Sequence, residues 1–196
     1  WRGHAEKIER NWRAAVGEDD LVLIPGDISW AMQLSAALPD LSFIGDLPGK
    51  KILLKGNHDY WWSAIGRVRS LLPAGMRAIQ NDAIVEDGIG ICGTRGWFYE
   101  EDAAGTHTGK MLAREALRLE ASFKAAGERP ILCFLHYPPL YQGYRCPELL
   151  ELIDRYSNVD YLDLFEALQA DLPQLDIRAH RVDIYTGTVF DARMYY

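Results

Sequence analysis

Residues 53–62, LLKGNHDYWW, place a glycine and then three reactive polar side chains directly after an apolar run. The three side chains are Asn57, His58 and Asp59, and each of them can bind a metal ion or form hydrogen bonds to a substrate. Such a succession is a poor choice for a turn that serves stability alone. The stretch therefore predicts a strand that ends in a functional loop.

The same arrangement of apolar strand and polar loop occurs twice more. LVLIPGD at 21–27 ends on Gly26 and Asp27, and ILCFLHYPP at 131–139 ends on His136 before two prolines. Short, continuous apolar runs are typical of strands that are buried on both faces. In open α/β sheets, sites form at the carboxyl ends of strands, so the polar residues of all three loops are candidates for one site.

Helical patterns separate these strands and predict an α/β domain. In the helix predicted over 60–72, Trp61 and Trp62 are interpreted as core residues rather than as a platform for bases. The turn at Glu86, Asp87 and Gly88 predicts a strand pair within 78–92. Further helices are predicted at 4–16, 110–126 and 147–156, weaker ones at 29–38 and 160–170, and weak strand character at 175–190.

Composition favours one globular domain over all 196 residues, with 48% hydrophobic and 25% charged residues. The net charge of −7 disfavours a broad nucleic-acid surface or binding to an anionic membrane, and no apolar run is long enough to span a bilayer. Cys92, Cys133 and Cys146 lack metal-binding spacing, which predicts buried reduced thiols and a cytoplasmic protein. The chain starts at Trp1, so we expect a native N-terminus to lie upstream.

Three of the loop residues form a mixed ligand set. Asp27 offers a carboxylate that can bridge two cations, Asn57 an amide oxygen and His136 an imidazole nitrogen. Such a set suits Mn, Fe or Zn better than Ca or Mg. Two such ions about 3.5–4 Å apart can activate a bridging hydroxide and clamp a phosphoryl group during in-line attack.

The remaining polar residues suit the substrate. His58 is free to protonate a leaving group or to stabilise phosphoryl oxygens, and Asp59 is placed to orient its ring. Arg95, in GTRGW at 93–97, is a candidate for a phosphate contact. Simpler explanations exist for each residue alone: Asp27 as a turn or helix cap, His136 as a hydrogen-bonded strand end, and Arg95 as a salt-bridge partner.

Taken together, the segments PGDISWAM, LPGKKILLKGNHDYWW, GTRGW and LHYPP resemble the calcineurin-like metallophosphoesterase superfamily, in particular a bacterial branch of predicted phosphohydrolases. The resemblance covers about residues 1–155 and leaves 157–196 unassigned. It implies a four-layer fold of two packed mixed β-sheets flanked by helices. It also implies that Asp27 bridges two metals, that Asn57 and His136 bind the second, and that His58 is catalytic.

Two blocks of the family pattern are absent from the chain. No Asp-x-His precedes residue 27, so we expect the first strand to be missing, and no Gly-His-x-His follows His136. His180, in RAHR, lacks the flanking residues of that motif and is interpreted as a surface residue. Truncation, residues omitted between segments and true loss all remain open, and each predicts that the chain binds one metal weakly or none.

These observations predict a cytoplasmic phosphoester hydrolase that uses two metal ions on a small substrate, with impaired activity in the chain as it stands. The alternative from another class is a non-catalytic phosphate-binding or scaffold module of the same fold. A hydrolase with a serine nucleophile is disfavoured because no Gly-x-Ser-x-Gly is present. The substrate, the metal and the oligomeric state are not predicted.

Overall fold

A computed structural model describes residues 3–97, 106–141, 144–161, 180–183 and 188–191. The first half of the chain forms a parallel three-stranded sheet in which β2 lies between β1 and β3. Its elements are α1 (His4–Ala15), β1 (Leu21–Ile24), α2 (Leu34–Gly45), β2 (Lys50–Leu53), α3 (Ile65–Leu71) and β3 (Met76–Ala78).

The second half forms a four-stranded mixed sheet in the order β4-β5-β6-β9, where β4 is antiparallel to β5 and the other pairs are parallel. Two further pairs, β7 with β8 and β10 with β11, are antiparallel. The elements are β4 (Ala83–Glu86), β5 (Ile89–Thr94), α4 (Thr106–Ala126), β6 (Ile131–Leu135), β7 (Leu140–Tyr141), β8 (Tyr144–Arg145), α5 (Pro147–Asp154), β9 (Val159–Tyr161), β10 (His180–Asp183) and β11 (Thr188–Asp191).

Alternation along the strands builds a four-layer packing. Ile52 of β2 and Ile91 of β5 face into one core between the two sheets. The next residues along each strand, Leu53 and Cys92, point to the outer faces, where helices cover them. Because α2 and α3 pack on the first sheet and α4 and α5 on the second, the layers run helix, sheet, sheet, helix. The predicted α/β fold of two packed sheets is confirmed.

Three predicted helix boundaries are wrong, and the late starts of the two helices have one reason. Helix α3 begins at Ile65 rather than near 60, and α2 spans Leu34–Gly45 rather than 29–38. The backbone N–H groups of Ile28 and Ser29, like the indole of Trp61, donate to the carboxylate of Asp59. These hydrogen bonds hold the three residues in loops, and the helices begin after them. The tryptophans at 61 and 62 are buried as predicted, but in a loop.

The predicted turn at residues 86–88 and three further predicted helices are present in the structure. The turn between β4 and β5 is confirmed, with Asp87 and Gly88 both at positive φ, as a tight hairpin turn of this kind requires. Helices at 4–16, 110–126 and 147–156 are confirmed as α1, α4 and α5. In the region predicted as helix over 160–170, residues up to Tyr161 belong to β9, and 162–170 lie outside the described residues.

A charged group links the two sheets at one end. Glu86, which ends β4, accepts hydrogen bonds from Lys50 Nζ at 2.6 Å and from Arg77 Nη2 at 2.5 Å. Lys50 begins β2 and Arg77 lies in β3. The hydrogen bond from Lys50, followed by that from Arg77, lowers the pKa of Glu86 below its ordinary value of 4.5. The ionised carboxylate therefore stabilises the packing of one sheet on the other.

We predict that Glu86→Gln lowers the urea midpoint of unfolding at neutral pH and that this difference disappears in acid. Because the pKa of Glu86 is depressed in the folded state, its stabilisation is present above the unfolded pKa and is lost as the pH falls through the folded one. Glu128→Gln, at an exposed position, is the matched control. A difference between wild type and Glu86→Gln that persists unchanged into acid would contradict the assignment.

Candidate metal and phosphoester site

Three loops bring the predicted ligands together between the two sheets. Asp27 follows β1 and Asn57 follows β2 in the first sheet, while His136 follows β6 in the second. His136 Nε2 lies 2.7 Å from Asn57 Oδ1 and 3.7 Å from Asp27 Oδ1. All three strands are parallel members of their sheets, so their carboxyl ends meet at one edge of the fold.

The ring of His136 points a lone pair at the two oxygens. Its Nδ1 donates to the carbonyl oxygen of Pro25 at 3.0 Å, which leaves Nε2 as the acceptor in a neutral ring. The backbone N–H of Asn57 also points at Nε2, at 3.4 Å. Burial lowers the pKa of His136, although the charge of Asp27 opposes that shift, so the neutral ring is favoured. The lone pair of Nε2 thus faces the amide oxygen of Asn57, the carboxylate of Asp27 and the backbone N–H of Asn57.

The carboxylate of Asp59 holds the two loops of the first sheet together. It is fully buried, and its oxygens accept hydrogen bonds from the backbone N–H groups of Gly56, Asp27 and Ile28, each at 2.8 Å. Longer or side-chain bonds come from Ser29 N at 3.3 Å and Trp61 Nε1 at 2.9 Å. The sequence suggested that Asp59 orients the ring of His58. Its hydrogen bonds instead position the backbone around Asp27, because both oxygens are directed at N–H groups of the loops.

Gly26 and Gly56 allow the two loops to touch. A Cβ on Gly26, whose φ is +117°, would lie 2.4 Å from the backbone nitrogen of Gly56. A Cβ on Gly56 would lie 2.2 Å from Asp27 Oδ1. The clash that these glycines avoid is between the loops themselves. Asp27 also has a positive φ of 55°, which positions its carboxylate next to the loop after β2.

His58 lies at the open side of the site. Its backbone N–H donates to Asp27 Oδ1 at 2.9 Å, which places the residue directly beside the ligand set. The ring lies 4.9 Å from that of Trp30 and 6.0 Å from that of Tyr60, and Tyr60 Oη is 3.5 Å from Nδ1. Trp30 is 73% exposed, so the ring of His58 is flanked by aromatic surface that a substrate can reach. The sequence analysis did not single out Trp30 or Tyr60.

Arg95 lies on the other flank of the site. Its carbonyl oxygen accepts a hydrogen bond from Tyr137 N at 2.8 Å, and its guanidinium carbon lies 4.6 Å from the centre of the Trp97 ring. The side chain of Arg95 also lines a cavity of about 320 Å³ together with Lys55. Burial, with the nearby charge of Arg95 adding to it, lowers the pKa of Lys55. The sequence does not identify Lys55 as a site residue, because nothing in it shows that Lys55 and Arg95 line the same cavity.

Other predicted features lie away from these loops. Cys92, Cys133 and Cys146 are free and buried, and burial raises the pKa of Cys92 to about 11. His180 begins β10 and is paired with Asp191 of β11. In the described part of the chain, no group of three or more His, Cys, Asp or Glu side chains could bind an ion. None of the described helices has the length and apolar character that crossing a bilayer requires.

Comparison with known proteins places these observations in a family. The family model of the calcineurin-like phosphoesterases matches residues 1–172. A stretch of 56 residues is 41% identical to the gene 66 protein of Mycobacterium phage L5, covering 29% of this chain and 27% of the phage protein. A crystal structure of an Aquifex aeolicus protein of unknown function has a TM-score of 0.45 and 18% sequence identity, over 83% of this chain and 76% of that one.

We predict that Asp59→Asn lowers the free energy of unfolding by about 3 kcal/mol, because the new amide nitrogen would face N–H donors with nothing to accept them. Urea unfolding followed by circular dichroism measures the loss. Asp19→Asn, at an exposed position, is the matched control and should change stability little. Equal stability of the two variants would show that the buried carboxylate is not what joins the loops.

Proposed function

The chain belongs to the calcineurin-like phosphoesterase family, and from this premise we propose that it is a metal-dependent hydrolase of small phosphoesters. The observation that supports the proposal is the convergence of Asn57 Oδ1 and Asp27 Oδ1 on His136 Nε2, at 2.7 and 3.7 Å, with the ring of His58 beside them. The family match covers the chain broadly, whereas the phage relative is matched over about a quarter of its length. The activity and the substrate are therefore proposals about this protein.

The residues at the site fit a divalent cation. Oδ1 of Asn57 and Nε2 of a neutral His136 ring each offer a lone pair to a cation, and the two atoms lie 2.7 Å apart. These atoms and the carboxylate of Asp27 would hold such a cation. Two oxygens and one imidazole nitrogen suit Mn, Fe or Zn, which agrees with the divalent metals that the family generally binds.

When bound, such a metal supplies Lewis-acid activation of water and neutralises charge on the phosphoryl oxygens. Asp27, Asn57 and His136 hold the site in a fixed geometry, because Asp59 and Pro25 restrain their backbone and ring. The ring of His58 is placed to donate a proton to the leaving oxygen of the ester, which avoids expelling an alkoxide. Trp30 and Tyr60 limit the directions in which that ring can turn.

The described residues provide one set of ligands rather than two. Asp27 is the member that can bridge to a second ion, and the di-metal arrangement with a bridging hydroxide remains part of the proposal for the protein in its intact form. Reduced activity of the chain as it stands also belongs to the proposal. The free, buried cysteines agree with a reducing compartment, so we place the protein in the cytoplasm.

The rival proposal is a phosphate-binding or scaffold module that has the same fold without turnover. It is favoured by the small number of ligands among the described residues. The two proposals differ in what His58 does. In a hydrolase, His58 acts on the leaving group and affects turnover, whereas in a binding module its removal changes affinity alone or nothing.

We predict that the chain binds Mn²⁺ and that His136→Ala and Asn57→Ala each weaken the affinity by more than about tenfold, since ligands contribute at least as much as the groups that orient them. Isothermal titration with MnCl₂ measures the affinity. His4→Ala, in α1, is the matched histidine control. An unchanged affinity in Asn57→Ala would show that its amide is turned and donates to His136 instead of binding an ion.

We predict that the protein, in the longest form its gene encodes, hydrolyses 4-nitrophenyl phosphate with Mn²⁺ and loses this activity with EDTA. With phenyl phosphate, whose more basic leaving group needs a proton, His58→Ala should lower kcat by about 10²–10⁴-fold, the usual contribution of a general acid, while Mn²⁺ affinity stays the same. His4→Ala again serves as the control. Equal rates in wild type and His58→Ala would favour the binding module.

A further inference from the structure

A cavity with two unpaired cations opens beside the proposed phosphoester site. Its volume is about 320 Å³, which lies at the lower end of the range for small-molecule sites. Lys55 lines it after β2, Gln80 and Asn81 after β3, and Arg95 after β5, so it runs along the strand ends that also provide the metal ligands. Helix α4 closes the opposite wall with Arg118.

The cations of this cavity differ in their partners. Arg118 Nη1 lies 2.5 Å from the buried carboxylate of Glu115, which also accepts a hydrogen bond from Thr94 Oγ1 at 2.8 Å. The charge of Arg118 is therefore compensated. Lys55 Nζ reaches the carbonyl oxygen of Trp62 at 3.5 Å, and Arg95 lies over a tryptophan ring. Among the residues that the structure describes, no carboxylate forms an ion pair with Lys55 or Arg95.

In a second cavity of the molecule, the cations are paired with carboxylates. Arg69 and Arg77 line that cavity. Arg69 is paired with Asp82, and Arg77 is paired with Glu86, each at 2.5 Å. Of the cations that line the two cavities, Lys55 and Arg95 are the two without a carboxylate partner among the described residues. Their mutual repulsion is relieved when an anion enters the cavity.

Both cations lie close to the atoms proposed to bind the reacting phosphoryl group. Lys55 precedes Gly56 and Asn57 in the same loop. The carbonyl oxygen of Arg95 accepts a hydrogen bond from the backbone N–H of Tyr137, the residue after His136. The charge of Arg95 also contributes to lowering the pKa of His136. One small molecule can therefore place a phosphoester at the ligand set and a second group in the cavity.

We propose that the substrate has, besides its scissile phosphoester, a second anionic group, a phosphate or a carboxylate, which Lys55 and Arg95 bind in this cavity. The inference rests on the proposed function, because it takes the scissile group to lie at Asp27, Asn57 and His136. Charge-assisted hydrogen bonds from an ammonium and a guanidinium select such an anion over a neutral group. The pairing of Arg118 with Glu115 leaves no free cation on the far wall, which favours binding of the anion at the end near Lys55 and Arg95.

Two non-hydrolysable ligands of equal length test the inference by isothermal titration with Mn²⁺ present. Propylphosphonate and 3-phosphonopropionate differ in that a methyl group replaces the terminal carboxylate. The wild type should bind 3-phosphonopropionate at least about tenfold more tightly. Arg95→Gln and Lys55→Gln should each remove most of this preference and leave the affinity for propylphosphonate unchanged. Arg95→Lys, which keeps the charge, should retain part of the preference, and propane-1,3-diphosphonate tests whether a phosphate binds more tightly than the carboxylate.

Arg114→Gln is the matched control, since it removes a charge from the exposed face of α4. It should leave the ratio of the two affinities unchanged. Equal binding of the two phosphonates by the wild type would overturn the inference. So would an Arg95→Gln variant that weakens both ligands equally, which would assign Arg95 to the reacting phosphoryl group. If one variant fails to fold by circular dichroism, the other decides the result.

The outcome separates this inference from the proposed function. Phosphonate binding requires no turnover, so a preference for 3-phosphonopropionate without hydrolysis of 4-nitrophenyl phosphate would support the anion cavity and reject the hydrolase. Hydrolysis without that preference would reject the cavity inference alone. The two proposals therefore fail in different measurements.

Discussion

The buried carboxylate of Asp59 is the interaction on which the rest of the site depends. Five donors point at it, four of them backbone N–H groups from the loops after β1 and β2. A buried carboxylate is expensive unless its lone pairs are used, and here the loops supply donors that would otherwise lack partners. The two loops are thereby held at a distance that only glycine at positions 26 and 56 allows. Asp27 is positioned as a consequence of this packing.

The packing of the loops positions a small number of side chains at the site. The loop after β1 presents Asp27, the loop after β2 presents Asn57 and His58, and the second sheet contributes His136 across the interface. Two of the proposed ligands are fixed by contacts outside the site: Asp27 by the bond from its backbone N–H to Asp59, and His136 by the bond from its ring to the carbonyl oxygen of Pro25. The proposed roles in metal binding and proton transfer belong to the adjacent residues Asn57 and His58, and the proposed role in substrate selection belongs to Lys55 at the start of their loop and to Arg95 after β5.

Much of this could be predicted from sequence, because strand ends are marked by local patterns. Apolar runs that stop at glycine or at proline predicted where Asp27, Asn57 and His136 lie, and parallel strands bring such ends together. The role of Asp59 could not be predicted in this way. Its partners are backbone N–H groups from a loop about thirty residues away, which have no side-chain signature. The late start of α3 follows from the same bonds, so helical spacing through Trp61 was misleading.

The unpaired state of Lys55 and Arg95 is likewise a property of three-dimensional neighbours rather than of sequence.

The central claim is that the acceptors of Asp27, Asn57 and His136 form a cation site. Anomalous diffraction from crystals grown with MnCl₂ tests it most directly. The account predicts a peak at about 2.2 Å from an oxygen of Asp27, Asn57 Oδ1 and His136 Nε2. Density without such a peak, with Asn57 and His136 still bonded directly to each other, would contradict it.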